Sequence, residues 1–272
     1  MHTPQISLVV AVYNKAEILR LVLAACARQS LRDFEVIVAD DGSGPAVRDL
    51  VSEMKPGLPF SVVHLWHEDI GWRKNTMLNK AVVASSADYL VFIDGDCLPG
   101  RHFLMDHLNE REERRVLLGR RVEASERWAR KLTYDRVVDG RFERIGLPEL
   151  VDGLRGRAAR LEDGIRITNP FFRRLSMRTS DKILGSNFSL FKKDLVAING
   201  FDELYTGPGH GEDTDIQFRL SLIGVRGKSI RNLAIQYHVY HPRTMPSEDS
   251  LKRYQEVVAS RIARCEMGLE KN

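Results

Sequence analysis

The chain has 272 residues, 43% of them hydrophobic and 29% charged, with a net charge of +4; this suits a soluble, mildly basic globular protein of one large or two small domains that handles phosphate-bearing ligands or an anionic surface. Three scattered cysteines, Cys26, Cys97 and Cys265, argue against a disulfide framework, and no apolar run approaches the roughly 20 residues that span a bilayer. The apolar run behind Met1–Gln5 is too short for a secretory leader and lacks its basic lead-in, so a cytoplasmic protein is expected, soluble or peripheral on the inner membrane face, with no nucleic-acid partner.

Ile6-Ser7-Leu8-Val9-Val10-Ala11-Val12 is a near-continuous β-branched run, as in a strand covered on both faces. Ile18, Leu21, Val22 and Ala25 then recur at helical spacing. Phe34 to Ala39 reads as a second strand, broken by the turn chemistry of Asp40-Asp41-Gly42-Ser43-Gly44-Pro45. A short helix over 47–54, a strand over 60–66, a helix over 76–85 and a strand over 88–93 follow. Such alternation predicts an α/β fold with a largely parallel sheet.

After Gly100 the pattern changes to an arginine-rich stretch, 101–180, with helices predicted at 101–113 and 147–161. A clear strand signal returns over 183–191, then a helix over 193–198 and a turn over 199–203. The loop Gly207-Pro208-Gly209-His210-Gly211 runs into Glu212-Asp213-Thr214-Asp215 and a helix whose buried face is Ile216, Leu220 and Ile223. Residues 230–240 are strand-like, and 247–268 read as a charged amphipathic helix.

Asp94-Gly95-Asp96 follows the fourth strand. Two carboxylates beside a glycine at the carboxyl end of a strand suit a hard divalent cation that keeps positions open for substrate phosphates. The same three residues also suit a plain turn. Asp40-Asp41 can accept from a uracil N–H or a ribose hydroxyl, or simply close its turn. Gly71-Trp72-Arg73-Lys74-Asn75 leads a helix and suits a diphosphate. Three acids in the four positions Glu212–Asp215 repel one another; helix capping accounts for one or two of them. His238 and His241 face opposite sides of a regular strand, so both reach one metal only if the strand ends there, as Pro242 allows.

In order and spacing these segments resemble the inverting family-2 glycosyltransferases of the GT-A fold. The matching stretches are Ser7 to Asn14, Glu35 to Ser43, Asn79-Lys80-Ala81 and Tyr89 to Asp96. The later half, Gly185-Ser186-Asn187-Phe188-Ser189, Asn199 to Glu203 and Gly211 to Asp215, is similar to the galactosyltransferase and chondroitin-polymerase branch. The resemblance implies one GT-A domain, with a nucleotide-sugar half (1–104), a variable insert (105–180), an acceptor half (181–245) and a C-terminal helix (246–272). It implies a UDP-sugar donor, Mn2+ or Mg2+ as cofactor, and a glycan or lipid-linked glycan acceptor.

Residue by residue, it implies that Asp41, with Asp40 beside it, holds the uracil end and that Asp94 meets ribose or metal. Asp96 would ligate the metal, with His241, and His238 as second candidate, completing the shell. Asp213 would be the base, and Glu212 would hold acceptor or donor-sugar hydroxyls. Tyr13, Asn14, Asn79, Gly95 and Asn187 fall on the matching segments as further donor-side candidates, and Arg73, which lies outside them at the start of a helix, is one more. Two features depart from the family pattern: the usual Ala-Arg-Asn helix start is absent, and the loop before Glu212 lacks a tryptophan. A nucleotidyltransferase and a non-catalytic glycan-binding module are the alternatives. The first lacks its glycine-rich triphosphate loop near Val12-Tyr13-Asn14-Lys15, and the second has no need of the acidic residues.

Overall fold

The computed structural model describes residues 2–176, 182–209, 211, 213–242 and 245–271. The first half alternates as its sequence predicts: β1 (Ile6–Val12), α1 (Ala16–Ala27), β2 (Phe34–Asp40), α2 (Pro45–Met54), β3 (Ser61–Trp66), α3 (Lys74–Ala84) and β4 (Tyr89–Asp94). The middle holds β5 (Cys97–Pro99), α4 (Phe103–Glu110), β6 (Arg115–Leu118), β7 (Val122–Glu123), α5 (Glu126–Ala129), α6 (Tyr134–Val138), α7 (Leu147–Leu154) and α8 (Pro170–Ser176). The last part holds β8 (Phe188–Phe191), α9 (Lys192–Ala197), α10 (Thr214–Leu222), β9 (Arg226–Ser229), β10 (Gln236–His238) and α11 (Glu248–Ser260).

Seven strands form one sheet in the order β3-β2-β1-β4-β8-β6-β9. The β3-β2-β1-β4 ladder is parallel, β8 runs antiparallel to β4 and β6, and β9 runs parallel to β6. The period of two along β1 divides the core. Leu8, Val10 and Val12 pack with Leu19, Val22 and Leu23 of α1 on one face, and Val9 packs with Met77, Leu78 and Ala81 of α3 on the other. Each such fully buried Leu or Val contributes about 1.5–3 kcal/mol.

Register decides what the sheet presents. Val12 pairs with Asp40, and Ala11 pairs with Asp94. The three central strands therefore end on one edge and deliver Tyr13, Asp41 and Asp94 together. Gly95 lets the chain turn there: its N–H donates to Ala11 O at 2.7 Å, and a Cβ would stand 3.0 Å from that same oxygen.

A second sheet of three short strands, β5-β10-β7, sets the other side of this edge. His238 pairs with Cys97 on β5 and with Glu123 on β7. Asp96, Glu123 and His238 are thereby neighbours although they are far apart in sequence.

Several predicted boundaries move. The helix predicted over 147–161 stops at Leu154, because Gly156 takes a left-handed turn at φ 68. The predicted strand over 230–240 is cut to Gln236–His238, since Asn232 and Ala234 adopt φ 61 and φ 44. β8 starts only at Phe188, and α11 ends at Ser260, where Arg261 turns left-handed at φ 53. The arginine-rich middle is not merely a solvated insert, because Val122, Trp128, Val137 and Phe142 join the core on the α1 face. Some of its arginines do pair with the neighbouring acids: Arg173 with Glu110 at 2.8 Å and Arg115 with Glu112 at 3.3 Å. Among the described residues, no helix is long and apolar enough to cross a membrane.

Candidate active site

A cavity of about 1150 Å³ opens where the strand ends of both sheets meet. Tyr13, Asp41, Asp94, Gly95, Asp96, His238 and His241 all lie on its wall. Asp96 is its most heavily engaged carboxylate. Its Oδ2 lies 2.9 Å from Lys15 Nζ and 3.2 Å from His241 Nε2, and its Oδ1 lies 3.6 Å from His238 Nε2. Burial alone would raise the pKa of Asp96, but the hydrogen bond with His241 and the charges of His238 and Lys15 outweigh it and hold the carboxyl far below the usual range. His241 is pushed up in turn by its bond to Asp96.

The strand β10 ends at His238, so the two histidines escape the alternation that would separate them. Their Nε2 atoms stand 3.1 Å apart, and both face Asp96. Adjacent corners of an octahedron with bonds of about 2.1 Å are about 3 Å apart. The two Nε2 atoms are 3.1 Å apart, His241 Nε2 is 3.2 Å from Asp96 Oδ2 and His238 Nε2 is 3.6 Å from Asp96 Oδ1, so both imidazoles and the carboxylate stand close to that spacing. One carboxylate and two imidazoles are also a donor set that Mn2+ and similar divalent ions accept.

Asp94 lies on the same wall but pairs elsewhere: its Oδ1 is 2.8 Å from Lys74 Nζ and its Oδ2 is 3.9 Å from Arg121. The two aspartates of the motif thus face different partners. Asp40 and Asp41 divide more sharply. Asp40 is fully buried, with Oδ1 taking the Ser43 N–H at 2.8 Å and Oδ2 bonded to His64 at 2.9 Å, so it closes the turn and stays off the cavity. Asp41 takes His67 at 2.9 Å and the Arg73 N–H at 3.0 Å and still borders the cavity; burial, the largest influence, pushes its pKa up.

Four other candidates are not on the wall. Asn14 accepts from the Gly44 N–H at 3.3 Å and fixes the loop behind Tyr13. The Arg73 guanidinium folds back on Trp72 O at 2.8 Å, and its neighbours Trp72 and Lys74 line the cavity instead. Asn79 is buried with its amide tied to both backbone groups of Phe201 at 2.8 Å, which pins α3 to the 199–203 turn. Asn187 is buried too, donating to Arg120 O and Ala234 O at 2.6 and 3.0 Å. Both amides are engaged by groups of the protein itself, and neither lies on the cavity wall, where a donor-side role was expected to place them.

Asp213 caps α10: its Oδ1 takes the Thr214 N–H at 2.5 Å, and its Oδ2 faces the Gly185 N–H at 3.4 Å. It is not on the cavity wall, whereas Leu184 and Pro208 from the adjoining loops are. Glu212 lies outside the described residues. Sequence reasoning missed Lys15, Arg121, Glu123 and the 156–160 turn, all of which line the cavity. Lys15 could have been found as the first cation beyond the carboxyl end of β1. Arg121 and Glu123 are two residues apart, the spacing that puts side chains on one face of an extended segment.

The model of glycosyl transferase family 2 matches residues 7–181, well over half of the chain. The chain belongs to that family. A second model, described as the N-terminal domain of galactosyltransferase, matches residues 172–242. Chondroitin synthase of Escherichia coli is 28% identical over 256 residues, covering 87% of this chain. Curated relatives are longer: the chain spans 35% of that synthase and 53% of a validoxylamine A glucosyltransferase of Streptomyces hygroscopicus, to which it is 29% identical. Among solved structures, S. aureus TarS 1–349 in complex with UDP-GlcNAc superposes with a TM-score of 0.62 at 17% identity, covering 97% of this chain and 68% of that one. A mannosyltransferase of Pyrobaculum calidifontis in complex with GDP-Man and Mn2+ gives a TM-score of 0.56 at 18% identity, covering 89% and 59%. The fold of this glycosyltransferase is therefore GT-A, and family membership sets aside the nucleotidyltransferase reading.

Proposed function

We propose that this family 2 glycosyltransferase moves a hexose or N-acetylhexosamine from a UDP-sugar to a hydroxyl of a surface glycan, such as lipopolysaccharide or capsule, with inversion at the anomeric carbon. The observation that carries this reading is the convergence of Asp96, His238 and His241 beside Asp41 and Asp94 in one cavity. The TarS complex with UDP-GlcNAc and the mannosyltransferase complex with GDP-Man and Mn2+ support the donor class and the metal. Asp96, His238 and His241 would hold Mn2+ or Mg2+. Once bound, the ion supplies Lewis acidity that stabilises the departing diphosphate.

The remaining steps belong to the chain. Asp41 takes the uracil end at the β2 edge. Lys15, Lys74 and Arg121, all on the wall, offset the diphosphate charge. Asp213 removes the proton from the attacking hydroxyl through Oδ2, whose contact to Gly185 N at 3.4 Å is weak and easily given up. The division into a nucleotide half, a middle segment and an acceptor half is part of the proposal. So is a lipid-linked acceptor at the inner membrane face, which the basic middle segment would favour.

The test is a panel of nucleotide sugars with Mn2+, read as release of nucleoside diphosphate, followed by acceptors with the hit. A UDP-sugar is expected to be hydrolysed slowly and transferred fast once its acceptor is supplied. Asp213→Asn is expected to cut transfer by about 10²–10⁴-fold while leaving UDP affinity intact. Near wild-type turnover in that variant would remove Asp213 from the mechanism. Release of no diphosphate from any sugar would overturn the donor assignment.

A further inference from the structure

Both oxygens of Glu123 are fixed by neighbours. Arg121 Nε donates to Oε1 at 3.0 Å, and His238 Nδ1 lies 2.9 Å from Oε2. A carboxylate only accepts, so the proton of the second bond sits on Nδ1. In the neutral imidazole, the form that can bind a cation, the lone pair of His238 Nε2 then faces Asp96, 3.6 Å away, and His241, 3.1 Å away. The backbone holds the same arrangement independently. Glu123 is the register partner of His238 between β7 and β10. It is also bridged to Ala159 through both of its backbone groups, at 3.0 and 3.1 Å.

We propose that Glu123 is the positioning residue that sets the tautomer and ring orientation of His238 for a divalent cation held by Asp96, His238 and His241. The proposal rests on the cation reading above. It assigns a function to a residue of the middle segment that no motif in the sequence marks. Carboxylates that accept the far N–H of a ligating imidazole raise its basicity and hold its ring, and their loss typically weakens metal binding by roughly 10–100-fold.

The local geometry makes a sharper prediction than loss of charge. Arg121 has donors only. In Glu123→Gln the amide oxygen stays with Arg121, so the NH2 turns toward His238 Nδ1. That nitrogen must then accept, the imidazole proton moves to Nε2, and the atom facing Asp96 no longer has a free lone pair. Glu123→Ala removes the partner without imposing a tautomer. The near-isosteric change should therefore do more harm than truncation.

The experiment is a calorimetric titration of the whole chain with Mn2+ alone, for wild type, Glu123→Gln, Glu123→Ala and His238→Ala, with melting curves in and out of Mn2+. Glu123→Gln is expected to weaken Mn2+ binding by roughly 10–100-fold, and Glu123→Ala by less. The metal-free Tm of Glu123→Gln should match wild type, because the backbone bridges do not need the carboxylate; only the rise in Tm with Mn2+ should shrink. Wild-type Mn2+ affinity in Glu123→Gln, a larger loss in Glu123→Ala, or a fall in metal-free Tm that accounts for the weakened binding would each overturn the assignment while leaving the cation site standing. A wild-type chain that binds no Mn2+, or a His238→Ala chain that binds it as wild type does, would overturn the cation reading and this proposal with it.

Discussion

Adjacent side chains in this molecule meet opposite fates. Asp40 is the last residue of β2 and points into the protein; Asp41 is one step further on and reaches the cavity. In the sequence they are an acidic pair open to a turn or to a nucleotide; Asp40 closes the turn, and Asp41 is left at the edge of the cavity. The resemblance offers Asn79 and Asn187 as donor-side candidates, but a buried amide satisfies groups of its own protein as readily as a ligand. Asn187 ends a polar chain. Tyr89 O–H donates to Ser189 Oγ (2.8 Å), Ser189 bonds His107 Nδ1 (2.7 Å), and His107 Nε2 lies 3.1 Å from Asn187 Oδ1. Because the Asn187 NH2 is committed to two carbonyls, its oxygen accepts from His107. Nδ1 of His107 is then the neutral acceptor.

That chain has a pH consequence. Burial is the largest influence on His107 and lowers its pKa from 6.5 to about 4. Between those values the unfolded chain binds the proton and the folded chain does not, so stability rises with pH across this window. The contribution is complete above about pH 6.5 and is lost as the pH falls toward 4, on the order of 3 kcal/mol in all. Urea unfolding of wild type should show this loss between pH 7 and pH 4.5, and His107→Gln should flatten it. Equal slopes in the two proteins would contradict the neutral His107.

Among the elements, strand length and face coverage decided what could be read in advance. β1, β2 and β4 are six or seven residues long and nearly wholly apolar, so their runs stand out. β9 is a polar sheet edge, Arg-Gly-Lys-Ser, with no hydrophobic signal at all. β5, β7 and β10 have three, two and three residues, too short for any periodicity, yet they bring Asp96, Glu123 and His238 together. The candidate cation-binding residues can be picked out in the sequence; the small sheet that brings them together cannot.

The acidic run before α10 is similarly resolved by its surroundings. Asp215 is fully buried, and burial, its largest influence, raises its pKa; Arg219, one turn later, bonds it from Nε at 2.7 Å. The same guanidinium donates to Ile198 O and Gly200 O at 2.7 and 2.9 Å, so α10 supports the 199–203 turn from beneath. Arg253 of α11 closes on Asp202 at 2.8 Å. Arg219→Leu strands Asp215 and the two carbonyls, and should cost about 3–5 kcal/mol in chemical denaturation. Adding Asp215→Leu should recover a large part of that loss, since replacing the whole pair is often near neutral. A single variant within about 1 kcal/mol of wild type would show that the pair does not support the turn.

At the scale of the molecule, two sheets of different origin share one cavity. The parallel ladder contributes Tyr13, Asp41 and Asp94 through its register; the small sheet contributes Glu123, His238 and, just beyond it, His241. Asp96 lies on the connection between them, which makes it the residue on which both halves converge. The arginine-rich middle closes over the same space: Arg157 and Arg160 line the cavity from a turn bridged to Glu123. The alternation of the first hundred residues made the parallel half readable, whereas the packing of the middle segment depends on contacts between residues distant in sequence, such as Glu123 with Ala159 and Trp128 with Tyr237.

The most direct test of the account is UDP binding by calorimetry, with and without Mn2+, in wild type and Asp96→Ala, after circular dichroism has shown both chains folded. Wild type is predicted to bind UDP more tightly in Mn2+, and Asp96→Ala to bind it with the same weak affinity in either buffer. An Asp96→Ala chain that keeps the wild-type affinity and its dependence on Mn2+ would contradict a cation held at the meeting point of the two sheets.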